Sequence, residues 1–310
     1  MKVAVWKWMP GPKRAIAGAL ALALLAACER AGPRPGKFDG ESALRYAKTQ
    51  LDFGTRIPGT PGAQRAGDWI IARMRERADT VVIQSWTQTL SDGRQLPLRN
   101  ILAGFRPDLK DRVLYVTHWD TRPMSDEDED PAKRHLPMPG ANDGASGVGL
   151  LVAVGDALKK TPPAVGVDFL FVDGEDYGDF GHMTDVLMGS TYFASHLPSP
   201  GYRPIFGVLW DMIGDRDLLI KREPNSVAQA PEVVQRVWDA AKQLGHDDVF
   251  VDQQTYPITD DHIPLLRAGL RVIDVIDLEY PYHHRPSDTL DKISAKSLSI
   301  VGDVAEALLR

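Results

Sequence analysis

Val113-Leu-Tyr-Val-Thr-His-Trp-Asp120 and Val167-Asp-Phe-Leu-Phe-Val-Asp-Gly-Glu-Asp176 each run from apolar residues straight into histidine or carboxylate. A short run that is apolar at nearly every position predicts a strand buried on both faces. Between the two lies Ala145–Lys159, apolar and of helical length. Strand, helix and buried strand in succession predict an α/β sheet covered on both faces. Outward from this unit the alternation continues, with strands expected at Val81–Thr89, Ile101–Phe105, Ile205–Trp210 and Leu270–Ile276. Helices are expected at Asp39–Leu51, Ala63–Arg77, Ser190–His196, Pro231–Leu244 (opened by proline) and from Ser294 to the C-terminus. Arg56-Ile-Pro-Gly-Thr-Pro-Gly62 reads as a rigid turn between the first two helices.

The polar residues of this pattern follow the carboxyl ends of strands. His118 and Asp120 follow the first quoted strand and Glu175 and Asp176 the second. Asp211 follows Ile205–Trp210, and His283 and His284 come shortly after Leu270–Ile276. In open α/β sheets, sites form outside the carboxyl ends of the strands. A single aspartate at a strand end is usually a turn or cap residue. Glu175-Asp176 shortly after a run too apolar to be surface is different, because placing two carboxylates there without a cation would cost several kcal/mol. Histidines and carboxylates converging from separate segments make a divalent-metal inventory with room for open, catalytic positions.

The chain holds 310 residues with 36 Lys+Arg against 42 Asp+Glu and no basic stripe, which argues against nucleic acid as a partner. Lys2, Lys7, Lys13 and Arg14 precede an apolar run, Ala15–Ala27, that falls short of the roughly 20 residues a membrane span needs. It reads as a signal peptide over 1–27. The run closes on Leu25-Ala-Ala-Cys28, similar to a bacterial lipobox, and Cys28 is the single cysteine. The expectation is a lipid-anchored protein of the bacterial cell envelope, facing the periplasm, with a tether over 28–37 and one catalytic domain over 38–310. A secreted protein with a chance cysteine is the alternative. Closed Cys-type zinc sites are excluded.

Five blocks then carry a resemblance: His118-Trp-Asp120, Gly140-Ala-Asn-Asp-Gly-Ala-Ser-Gly147, Asp173-Gly-Glu-Asp176, Trp210-Asp-Met-Ile-Gly214 and His284-Arg-Pro-Ser-Asp288. In this order they resemble the M28 zinc aminopeptidase superfamily, from Arg56 to the C-terminus. The resemblance implies a three-layer sandwich with a mixed, mostly parallel central sheet flanked by helices. Within that superfamily, Thr259-Asp-Asp-His-Ile-Pro264 is similar to the glutaminyl-peptide cyclotransferases, whereas aminopeptidases usually show Ser-Asp-His there. His118-Trp-Asp-Thr-Arg-Pro123 and Glu-Asp-Tyr-Gly at 175–178 resemble bacterial members of that branch. Carried over, the resemblance implies Asp143, Asp176 and His284 as ligands of one zinc. Glu175 would be the proton shuttle, and Asp211 and Asp260 the supporting carboxylates. The substrate would be the N-terminal glutamine of peptides or proteins, released as pyroglutamate and ammonia.

Two positions depart from the animal cyclases. Asp176 stands where they carry glutamate, and His283 where they carry tryptophan, so His283 is itself an alternative ligand. In an aminopeptidase, His118, Asp143 and Asp211 would help build a second zinc site, giving two ions, and Glu175 would deprotonate water. A domain that kept the fold for binding alone is the third reading. Trp119 and Tyr177 could line the pocket or the core, and Tyr280 and Tyr282 could replace the missing aromatic wall. Asp126–Asp130 could form a calcium loop or a solvated pocket rim, and Asp274 has no expected role.

Overall fold

The computed structural model describes residues 1–4 and 38–310. The expected leader beyond residue 4, Cys28 and the tether lie outside the described residues. The chain first forms helices α1 (Gly40–Leu51) and α2 (Pro61–Arg75), then strands β1 (Thr80–Thr89), β2 (Gln95–Phe105) and β3 (Arg112–His118). Next come α3 (Ala145–Lys160), β4 (Gly166–Val172), α4 (Met188–Ser195), β5 (Phe206–Asp211) and β6 (Ile220–Arg222). The remainder is α5 (Pro224–Gln229), α6 (Pro231–Leu244), β7 (Phe250–Gln254), α7 (His262–Arg267), β8 (Val272–Ile276) and α8 (Ala295–Ala307). No helix among the described residues is long and apolar enough to cross a membrane.

Six strands form one sheet in the order β1-β2-β4-β3-β5-β8. β1 and β2, and β2 and β4, pair antiparallel, while β4, β3, β5 and β8 run parallel. The sheet is therefore mixed and mostly parallel, as expected. The period-two alternation of strands sorts the side chains into two layers. Val113, Tyr115, Phe169, Phe171, Val208 and Trp210 join the larger core with residues of α2, α3, α6 and α8. Leu114, Val116, Leu170, Val172 and Leu209 face the other way, onto Phe193 of α4 and Leu265 of α7. Helices cover both faces, so the three-layer sandwich is observed.

α3 is buried on nearly every side, which suits a helix lying between the sheet and a further helix layer. It approaches the sheet closely at Gly147, where a Cβ would meet Thr117 Oγ1 and the Trp210 carbonyl. Gly147→Ala should therefore destabilise the domain by roughly 1–3 kcal/mol, the usual cost of overpacking. Thermal denaturation checks this, and an unchanged midpoint would refute the close approach.

Several expected boundaries move. β2 begins at Gln95 rather than Ile101, because its first half alternates exposed and buried residues as the outer arm of the β1–β2 hairpin. The expected strand Leu270–Ile276 shortens to Val272–Ile276. β6, β7, α5 and α7 carry no sequence expectation at all. They are three to six residues long, below the length at which a period declares itself.

The topology also opens the site. The chain leaves β4 on one side of β3 and re-enters the sheet on its other side as β5. That reversal leaves a crevice at the carboxyl ends of the central strands.

Candidate active site

His118 is the last residue of β3 and Asp211 the last of β5. Glu175 and Asp176 follow the end of β4, and Asp143 stands just before α3. The turn into α3 needs Gly144, whose φ is +90° and whose Cβ would lie 2.8 Å from the Asp120 carbonyl. His284 lies in the loop after β8, itself in the left-handed region at φ 49°. All six expected site residues are buried: Asp143, Asp176, His284, Glu175, Asp211 and Asp260.

Two ligand groups share Asp143. The first joins Asp143, Asp176 and His284, with donor atoms within 4.8 Å of one another. His284 Nε2 lies 3.2 Å from Asp176 Oδ1 and 3.8 Å from Asp143 Oδ2. Asp176 Oδ2 is buried with no hydrogen-bond partner. Two carboxylates and one imidazole, with an orphaned buried oxygen among them, fit zinc. The second group joins His118, Asp143 and Asp211. His118 Nε2 lies 3.0 Å from Asp143 Oδ1 and 3.2 Å from Asp211 Oδ1.

His283, the expected alternative ligand, falls in a separate group with Glu127 and His284 that includes neither Asp143 nor Asp176. His283 is half-buried, with Nδ1 3.1 Å from Glu127 Oε2, and the pair sits at the rim. Glu127 and Asp126 also face His284 Nδ1, at 3.6 and 3.7 Å. Carboxylates behind a ligating histidine fix its ring and raise its basicity. The acidic stretch thus edges the pocket, with Arg122 bridging Asp126 at 2.6 Å and Asp176 at 3.0 Å.

Charge crowding perturbs the whole centre. Burial, then the charges of Asp176, Asp260 and Asp261, push the Glu175 carboxyl well above the usual range, with His118 opposing. Burial and Asp211 raise Asp260 to about 6. Burial would also raise Asp143, but the hydrogen bond and charge of His118 hold it below the ordinary aspartate value. Burial disfavours a charged His118, yet Asp211 and hydrogen bonds to Asp120, Asp143 and Asp211 raise its pKa well above normal.

A second sphere, which sequence reasoning left without roles, holds these groups in place. Asp120 accepts the backbone N–H of Glu175 at 3.1 Å and of Asp176 at 3.2 Å. Asp288 accepts those of Asn142 and Asp143 at 2.9 and 3.1 Å, and the Tyr280 hydroxyl as well. Arg56 is fully buried; its guanidinium donates to the carbonyls of Trp119, Pro139 and Gly140 and its backbone N–H to Thr121 Oγ1. The signal for Asp120 and Asp288 was present, since both stand inside blocks that also carry ligands. Asp120→Asn places an amide NH2 where two N–H groups now donate, so zinc affinity should fall about 10–100-fold. Chelator competition measures it, and unchanged affinity would count against this role.

The centre opens into a cavity of about 570 Å³ lined by Asp143, Glu175, Asp211, Asp260 and His284, with Phe180, Met183, Tyr256 and Ile258 among its apolar walls. Tyr280 also lines it, while Tyr282 packs edge-on against Tyr280. Trp119 and Tyr177 do not: Trp119 is a core residue and Tyr177 packs beside the β1–β2 hairpin.

The family model described as Peptidase family M28 matches residues 100–309. A structure of Bacteroides thetaiotaomicron glutaminyl cyclase bound to N-acetylhistamine is 35% identical, with a TM-score of 0.85 over 88% of this chain and 98% of that one. A leucine aminopeptidase precursor from Bacteroides thetaiotaomicron VPI-5482 is 34% identical, with a TM-score of 0.85 over 88% and 97%. The glutaminyl-peptide cyclotransferase of Bos taurus is 25% identical over 256 residues, covering 73% of this chain and 69% of that protein. The chain spans about half the length of other curated relatives it matches, 50% of one from Escherichia coli and 40% of one from Bacillus subtilis.

Proposed function

The chain belongs to peptidase family M28, and from that premise we propose that it is a zinc-dependent glutaminyl-peptide cyclotransferase. The observation that carries the reading is Asp260, a carboxyl lining the cavity beside Asp211 and Glu175 where an aminopeptidase would usually carry serine. The likeness to a bacterial glutaminyl cyclase over 88% of the chain supports it.

The reaction is intramolecular. The α-amino nitrogen of the substrate's first residue bonds to the carbonyl carbon of its own side-chain amide, the bond to the amide nitrogen breaks, and ammonia leaves. Holding nucleophile and carbonyl together supplies much of the acceleration. Asp143, Asp176 and His284 would hold one zinc, which when bound supplies a Lewis acid for the amide oxygen. Glu175, with its pKa raised by burial, is suited to take the α-amino proton and return it to the departing nitrogen. Asp260 and Asp211 give the cavity the negative character that a positively charged N-terminus requires. The apolar walls at Phe180, Met183 and Tyr256 accommodate the rest of the peptide.

A second reading, a two-zinc aminopeptidase, is favoured by the complete His118–Asp143–Asp211 group. One experiment separates them: a Gln-initiated peptide and a Leu-anilide are offered to the protein while zinc per chain is counted. Ammonia release with one zinc supports the cyclase, and Leu release with two overturns it.

We further propose that acylated Cys28 anchors the domain to the bacterial envelope, facing the periplasm, where N-terminal glutamine peptides or proteins are its substrates. Cys28→Ser should abolish fatty-acid labelling and shift the protein from the membrane to the soluble fraction. Membrane retention of the variant would reject the anchor.

A further inference from the structure

A row of ionisable side chains runs away from the cavity into the protein. Asp260 lines the cavity. Behind it lie Asp274 in the middle of β8, His262 at the start of α7 and Glu223 just ahead of α5, all three almost wholly buried. Donor atoms of Asp260, His262 and Asp274 fall within 4.8 Å of one another. His262 stands between two carboxylates, its Nδ1 3.7 Å from Asp274 Oδ2 and its Nε2 3.3 Å from Glu223 Oε2. Glu223 is fixed in turn, accepting the backbone N–H of Asn225 at 2.8 Å, Ser226 at 2.6 Å and Ile258 at 3.3 Å.

Asp274 is the informative member. Its backbone N–H is satisfied by Ser226 Oγ at 3.0 Å, but both of its carboxyl oxygens are buried without a hydrogen-bond partner, as are both ring nitrogens of His262, so the two side chains face each other as an ion-pair contact. A buried carboxyl without donors is costly, and a buried histidine beside it is the available remedy. Two carboxyls in contact, Asp260 and Asp274, also cannot both stay ionised, so a proton between them couples their orientations. A histidine–glutamate pair that served packing alone would have no reason to end on a side chain facing the substrate cavity. This one does.

We propose that His262, braced by Glu223, is a positioning residue: it anchors Asp274, which fixes the rotamer of Asp260 toward the substrate's α-amino group. The inference rests on the cyclase reading for the identity of that substrate. It gives Asp274 and His262 work at the site without contact to the reacting atoms. Freed from this brace, the Asp260 carboxyl would turn among its neighbours Asp211, Asp261 and Asp274, and the productive alignment would be populated only part of the time.

The test uses the zinc-loaded protein and four forms: wild type, His262→Gln, Asp274→Asn and the double variant. Initial rates on a Gln-initiated peptide give kcat and KM, beside zinc per chain and thermal midpoint. A misaligned catalytic group can cost up to about 100-fold, so kcat should fall at least about 10-fold in each single variant. KM should stay within about twofold and zinc content should not change. The double variant should lose no more than the worse single one, because both break one chain of contacts. Unchanged kcat in folded Asp274→Asn, additive losses, or a loss that tracks zinc content would each overturn the proposal. Should His262→Gln fail to fold, Glu223→Gln, which keeps size and acceptor oxygen, takes its place with the same criteria. A wild type inactive on the Gln peptide but active on Leu-anilide would remove the cyclase reading, and the variant series would be scored on the anilide.

Discussion

Glu175→Gln should cost roughly 10²–10⁴ in kcat while leaving bound zinc unchanged, the loss expected when a positioned general acid–base is removed. The two halves of that expectation have separate grounds. Glu175 belongs to neither ligand group around Asp143. Its carboxyl faces the cavity, with His118 Nδ1 the nearest ring nitrogen at 3.7 Å. Glutamine has the same length and still hydrogen-bonds, but it cannot carry a proton from one nitrogen to another. The loop around residue 175 depends on backbone contacts that the substitution leaves alone, its N–H to Asp120 and its carbonyl from Leu187. Rates from ammonia release, paired with zinc per chain by atomic emission, decide the matter. Turnover within a few-fold of wild type would place the proton transfer elsewhere.

Asp143→Asn should remove both metal and activity. Asp143 is the one side chain common to the two ligand groups, so no rearrangement of the remaining residues restores either. Removing an outer-shell partner costs about 10–100-fold in affinity, and loss of a shared direct ligand should exceed that. The variant should bind less than a tenth of the wild-type zinc at concentrations that saturate the latter, with no measurable turnover. Chelation of the wild type gives a reversible counterpart. Zinc at about 1,000 times its Kd adds about 4 kcal/mol of stability by mass action, so the thermal midpoint should fall on chelation and return with the ion. A variant that kept its zinc would exclude Asp143 as a ligand of any kind.

How far the sequence could be read follows from physical scale. Buried parallel strands such as β3 and β4 announce themselves as apolar runs, and the chemistry stands at their carboxyl ends because the chain must leave the sheet there. His118, Asp143, Glu175, Asp176, Asp211 and His284 were all legible on that ground together with the block pattern. His262, Asp274 and Glu223 were not. His262 stands inside the quoted Thr259–Pro264 block but has no reading there of its own, Asp274 and Glu223 lie in short segments, and their meeting depends on α7 and β8 packing side by side, a contact no local period encodes. Asp274 shows the limit well. A lone aspartate in a strand has no reading until its neighbours in space are known. Arg122 is similar, since its bridge from Asp126 to Asp176 joins residues 50 positions apart.

Arg56 bears on how the protein matures. Its guanidinium is enclosed beneath the Gly140 carbonyl, with burial lowering its pKa to about 10 and Asp288, Asp120 and Asp143 opposing that fall. The charge is still present at neutral pH, and it is one the polypeptide brings with it. In a newly folded chain awaiting its ion, it adds to Arg122, which pairs with Asp176, as positive charge set against the gathered aspartates. With a cation already built into the floor, the domain is expected to complete its folding first, take up zinc afterwards, and give it back without coming apart, which circular dichroism of the chelated protein checks.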